Sequence, residues 1–256
     1  MGSIVTLIYY KLIAALIIFL ISIIMASYPL KKTSGLKHTE SFELGEALAS
    51  GIFLGAAFFH MLPDAIEMFN HIYGKLSFPI PEAICVLGFL LLLFLERISL
   101  SFPAAKSKNS IPYILALILI IHAITEGAAL GIGSTFAETL MLFIAIIAHK
   151  GSESFALSVT LLRHALPLQR ILMIVIFFSL MTPLGIALGA SVTQFTTGSG
   201  ELIAAIFNAF AAGTFLYIST LHHIHFHQHT KDTQGLLEFV SLFAGVAAMG
   251  VIALWA

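Results

Sequence analysis

The sequence predicts an all-α membrane protein with eight transmembrane helices, and three observations lead there. Hydrophobic residues make up 59% of the 256 and charged residues only 10%, whereas a soluble domain carries roughly 25% charged residues. With a mean hydropathy of +1.02, too few charges remain to solvate a water-facing surface, so lipid must be the solvent for much of the chain. Apolar stretches of about 20 residues, long enough to span a bilayer, recur throughout. They lack the alternation that a transmembrane barrel requires.

The first span covers about 4–28. No basic residue precedes Lys11 and the apolar run continues to Leu30, longer than the roughly 7–15 residues of a signal-peptide core. Lys31–Glu40 breaks the pattern before a second span at 43–62, which Pro63–Pro79 ends. The third span, 80–100, is followed by Ser101–Ser110. The fourth and fifth, 111–133 and 137–161, are separated only by a tight turn at Gly133–Ser134. Arg163–Arg170 precedes the sixth, 170–192, where Pro183 removes one backbone hydrogen bond and is expected to kink the helix, with a hinge as the alternative. Thr193–Gly200 leads to the seventh, 201–221, and His222–Gly235 to the eighth, 236–255. No connection is long enough to be a soluble domain, so residues 1–256 are expected to form a single transmembrane domain.

Charge sets the orientation. Lys31, Lys32, Lys37, Arg97, Lys106, Lys108, Arg163, Arg170 and Lys231 all fall in odd-numbered loops or at the span ends beside them, and only Lys75 falls in an even one. The positive-inside rule then puts the odd loops in the cytoplasm and both termini outside, in a plasma or inner membrane. A net charge of −1 gives no ground for a nucleic-acid partner. Cys85 is the only cysteine, so a disulfide framework and a thiolate cluster are both excluded. A metal site would have to use His, carboxylate, amide or thioether groups.

Ionisable groups at membrane depth are costly and mark pathways or sites. The fourth span holds His122 and Glu126, and the fifth holds His149, Lys150 and Glu153. Each His–Glu pair is spaced i,i+4, so both members share one helix face. The short turn makes the two spans antiparallel neighbours, and the pairs fall at matching depth. Two imidazoles and two carboxylates can supply four ligands to a borderline divalent cation. The competing reading, a hydrogen bond within each helix, suits one pair better than two facing pairs. Gly127, Gly131 and Gly133 are read as helix-packing positions.

Two further clusters lie at helix ends. His60 and Asp64, again i,i+4, close the second span, with Glu67 and His71 beyond. They form either a cation-attracting mouth or an ordinary solvated helix end. His222, His223, His225, His227 and His229 close the seventh span, and suit weak, exchangeable metal binding. Glu43 and Glu46 are read as a solvated helix start, with a place at the same exit as these histidines as the alternative.

These residues resemble those of the ZIP (Zrt/Irt-like) family of metal transporters. His-Ala-Ile-Thr-Glu-Gly-Ala-Ala-Leu-Gly (His122–Gly131) is similar to the family's His-x-x-x-Glu-Gly signature, and Ala148–Ser154 falls at its second metal-binding segment. Phe53–Ala65, Met181–Ala190 and Ala211–Ile218 are supporting matches. The resemblance implies eight helices with external termini, a metal site between the fourth and fifth, and transport into the cytoplasm. It implies inverted three-helix repeats flanking that central pair, movement of the metal-bearing helices against a static remainder, and a homodimer as one assembly open to the chain. Zn2+ is the first expectation as substrate, with Cd2+, Fe2+, Mn2+ and Co2+ also suited to His and carboxylate ligands.

The chain departs from the commonest family pattern at Ala123 and Lys150, positions that help build a second metal site in binuclear members. A single site is therefore expected, with the Lys150 ammonium standing where a second cation would be; a snorkelling side chain is the alternative. His-Lys at 149–150 resembles one animal subgroup, although Glu153 is a departure from it. Two other functions compete with transport. An intramembrane metal-dependent hydrolase would more typically show His-Glu-x-x-His, which is absent. A metal sensor without transport lacks loops long enough to carry a signalling output.

Overall fold

A computed structural model describes residues 2–32, 42–75, 77–101, 111–192, 199–222 and 232–254, and among them every regular element is helical. In chain order these are α1 (Gly2–Lys32), α2 (Glu43–Ala56), a π-helical turn (Ala57–Met61), α3 (Leu62–Tyr73), α4 (Ile80–Ser101), α5 (Ile111–Ile132), α6 (Phe136–Arg163), α7 (Leu168–Val192), α8 (Ser199–Tyr217), a second π-helical turn (Ile218–His222) and α9 (Asp232–Ile252). Seven stretches among the described residues are long and apolar enough to cross a membrane. α4 is also 22 residues long but carries Glu82, Glu96 and Arg97. The outward faces are apolar, as Leu12, Leu16 and Ile24 on α1 and Leu237 and Phe243 on α9 illustrate. Water does not reward such a surface, whereas lipid does, so this is an integral membrane protein.

One boundary differs from expectation. The helix that starts at Glu43 does not stop at Pro63 but runs through it to Tyr73. The π turn at Ala57–Met61 resets the hydrogen-bond spacing just ahead of the proline. Pro63 then falls in the opening turn of α3, where its missing N–H is tolerated. The helix ends instead at Gly74, whose φ of 71° is a left-handed conformation that glycine adopts freely.

The chain forms two compact units. The first contains α1, α5, α6 and α7, around a core of Ala14, Ile18, Leu130, Ile146 and Ile186. The α5–α6 turn is closely tied. Thr135 caps α6 by accepting from Glu138 N at 3.2 Å, and the Glu138 carboxylate accepts from Ser134 N at 2.9 Å, a variant of the capping box. Lys11, buried on α1, donates to Gly131 O at 2.6 Å and Gly133 O at 2.8 Å. It thereby satisfies carbonyls that the end of α5 leaves open. Ser158 on α6 donates to Ala26 O on α1 at 2.8 Å. α5 and α7 meet backbone to backbone: a Cβ on Gly127 would strike the Thr182 carbonyl, and one on Gly185 the Ile124 carbonyl.

The second unit contains α2, α3, α4, α8 and α9 with both π turns. α2 packs on α9 and α4 on α8. Phe53 and Phe215, both fully buried, meet with centroids 4.8 Å apart. His71 Nδ1 and Glu201 Oε1 are paired at 2.9 Å.

Candidate metal centre

The centre lies wholly within the first unit. On α5, His122 and Glu126 are one turn apart, and on α6 the same holds for His149 and Glu153. Because the connecting turn is so short, the two pairs face each other, and all four residues are buried.

The geometry is convergent. His122 Nε2 lies 3.4 Å from Glu126 Oε2 and 3.1 Å from Glu153 Oε1. His149 Nε2 lies 3.1 Å from Glu126 Oε2 and 3.8 Å from Glu153 Oε1. One ligand atom from each residue falls within 4.8 Å of every other. A tetrahedral ion with bonds of about 2.0–2.1 Å separates its ligand atoms by about 3.3–3.4 Å. The four nitrogen–oxygen separations bracket that value. Two neutral donors and two anionic oxygens at that spacing can grip a borderline divalent cation.

The other carboxylate oxygens are held from behind. Lys150 Nζ donates to Glu126 Oε1 and, at 2.9 Å, to Glu153 Oε2. Thr182 on α7 donates to Glu126 Oε1 at 2.9 Å. The Phe178 ring covers the ammonium at 4.5 Å from its centroid. Lys150 is wholly buried, so it does not snorkel. It stands beside the two carboxylates.

Sequence reasoning missed Phe178 and Thr182. Thr182 precedes Pro183 in a segment noted for its kink and its family match but not for a site residue, and Phe178 carries no signal of its own in an apolar helix.

The remaining candidates fall elsewhere. In the second unit, His60 lies in the first π turn, with Nδ1 3.1 Å from Asp64 Oδ2. π turns recur at functional positions. Glu201, the partner of His71, was not singled out from the sequence. His222 ends the second π turn. His223, His225, His227 and His229 lie outside the described residues.

The chain matches the ZIP Zinc transporter family over residues 8–111 and 103–253. It is 30% identical to Zinc transporter ZIP1 of Takifugu rubripes, over 84% of this chain and 85% of that protein. Against Zinc transporter ZIP1 of Mus musculus the identity is 29%, over 93% and 89%. Against Zinc transporter ZIP2 of Homo sapiens it is 28%, over 82% and 84%. With nearly its whole length matched and a buried His/Glu cluster on α5 and α6, this chain belongs to the ZIP Zinc transporter family and is a metal transporter, not an enzyme.

Proposed function

We propose that the chain carries Zn2+ toward the cytoplasm through one intramembrane site built from His122, Glu126, His149 and Glu153. The observation that carries this is the convergence of four ligand atoms within 4.8 Å in a buried setting. The names of the relatives support zinc as the metal; Cd2+, Fe2+, Mn2+ and Co2+ are chemically suited to the same ligands.

Charge supports exchange of the ion. With neutral imidazoles, two carboxylates against one ammonium leave the cluster one negative charge. A divalent ion reverses that sign, so neither state strands a large net charge in lipid. Ligands must be deprotonated to bind, and protons arriving from the cytoplasm assist release. His60 and Asp64 form the outer mouth in this scheme, and His222, His223 and His225 the inner exit.

Architecture completes the proposal. Counting α4 as a span gives eight, and the distribution of lysine and arginine supports external termini, with a plasma or inner membrane as the proposed host. All eight belong to one transmembrane domain, with inverted three-helix repeats flanking α5 and α6, and two copies form a homodimer. The hydrolase reading has no support, since the relatives above are transporters by name.

Zinc uptake into proteoliposomes containing the purified full chain tests the proposal. His149→Ala, confirmed folded by size exclusion, should abolish uptake. Undiminished uptake in that variant would remove α6 from the path. Wild type should bind one zinc ion per protomer, and two tightly bound ions would reject the single site.

A further inference from the structure

Each buried carboxylate of the cluster is divided between two duties. Glu126 directs Oε2 to the imidazoles, at 3.4 and 3.1 Å, and Oε1 to Lys150 Nζ and Thr182 Oγ1. Glu153 directs Oε1 to the imidazoles, at 3.1 and 3.8 Å, and Oε2 to Lys150 Nζ at 2.9 Å. One ammonium therefore takes one oxygen from each carboxylate. Lys150 cannot readily leave, because it is wholly buried and Phe178 lies across it.

This division governs how a metal can be held. A carboxylate can bind an ion through one oxygen or both, and cations of high coordination number use the second oxygen. Recruiting it here would strip a buried ammonium of its partner, which is strongly unfavourable.

We infer that Lys150 is a positioning residue for metal selectivity: by occupying Glu126 Oε1 and Glu153 Oε2 it restricts each carboxylate to a single ligand oxygen. The shell is then two Nε2 and two oxygens, four-coordinate, which suits Zn2+ and disfavours ions such as Mn2+ that prefer octahedral oxygen-rich shells. The inference rests on the metal site proposed above and adds the determinant of its selectivity. Affinity alone does not report the role, because the ammonium both steadies the carboxylates and repels the ion. Geometry and preference do report it.

The test uses the purified full chain in detergent, with Co2+ as a spectroscopic substitute for zinc. Four-coordinate Co2+ absorbs intensely in the visible and six-coordinate Co2+ only weakly. Wild type should give the intense spectrum. In Lys150→Met the intensity should fall several-fold, and the preference for Zn2+ over Mn2+ in competition binding should drop about tenfold or more, as loss of a ligand-orienting contact does. A folded Lys150→Met with the wild-type spectrum and preference would overturn the inference while leaving the metal site standing. Co2+ binding that survives His149→Ala, or no binding in wild type, would sink the site itself and the inference with it. X-ray absorption at the zinc edge of wild type gives a test that needs no variant to fold. It should show four nitrogen or oxygen neighbours at about 2.0–2.1 Å, and five or six would refute the restriction.

Discussion

Gly127 follows Glu126 directly on α5, and replacing it with alanine probes how tightly α7 holds the metal centre. The added Cβ would land on the Thr182 carbonyl oxygen, with the Thr182 carbonyl carbon at 3.0 Å and Gly185 Cα at 3.1 Å. Carbon–oxygen contacts settle at about 3.3–3.6 Å, so α7 has to retreat by about 1 Å. The bond from Thr182 Oγ1 to Glu126 Oε1, 2.9 Å in the native chain, is then stretched past the ~3.6 Å at which a hydrogen bond is lost. Overpacking costs about 1–3 kcal/mol and the bond to a charged group about 1.5–3 kcal/mol. Alanine's better helix propensity returns only about 1 kcal/mol. Gly127→Ala should therefore lower the melting temperature in detergent and weaken zinc binding by about 10–100-fold. Gly151→Ala is the control: it adjoins Lys150, but its Cβ would meet no backbone at close range, only the flexible Met25 side chain at 3.3 Å for Cγ and Ile21 Cγ2 at 4.0 Å. It should be neutral or slightly stabilising. A Gly127→Ala that melts and binds like wild type, or a Gly151→Ala that is the more damaging change, would show that α7 does not press on Gly127.

Thr182→Val keeps the shape of the side chain but deletes the hydroxyl on Glu126 Oε1; it should cost about 1.5–3 kcal/mol and weaken zinc affinity by calorimetry, and an unchanged isotherm would show that Lys150 alone suffices. Lys11→Met removes the donor to Gly131 O and Gly133 O, so amide hydrogen exchange in the α5–α6 turn should accelerate; native protection there would mean that the Thr135 and Glu138 caps hold the turn unaided. Zinc affinity should fall as pH falls, because protons compete for the imidazole and carboxylate ligands; calorimetry giving one affinity at neutral and acid pH would show that no proton is displaced.

The two His–Glu pairs were legible because helical spacing and a short turn are local facts. An i,i+4 repeat gives a shared face, and the turn at Gly133–Ser134 leaves the two helices nowhere to go but alongside each other. Lys150 was legible as an anomaly, a cation too deep to reach the interface comfortably. The packing around it was not, since Phe178 over the ammonium and Thr182 on Glu126 Oε1 depend on where α7 packs, and no spacing within α7 encodes that. The helix end at Tyr73 was hidden for a different reason. Proline normally closes a helix, and the π turn that accommodates Pro63 leaves no mark on a 3.6-residue pattern. His71 and Glu201 are 130 positions apart, so pattern along the chain could not join them.

The uninterrupted passage through Pro63 has a consequence of length. Glu43–Tyr73 is 31 residues, about 46 Å of helix at 1.5 Å per residue, against about 30 Å of hydrocarbon. An ordinary tilt of about 20° absorbs only about 2 Å of the surplus. If Glu43 is taken as one edge of the oily slab, the other edge falls close to Leu62, and the rest stands clear as a spur. His60, with its side chain 15% exposed, then falls just inside that edge, and Asp64, at 32%, just beyond it. In the path proposed above, a hydrated ion meeting that pair would begin to shed its water there.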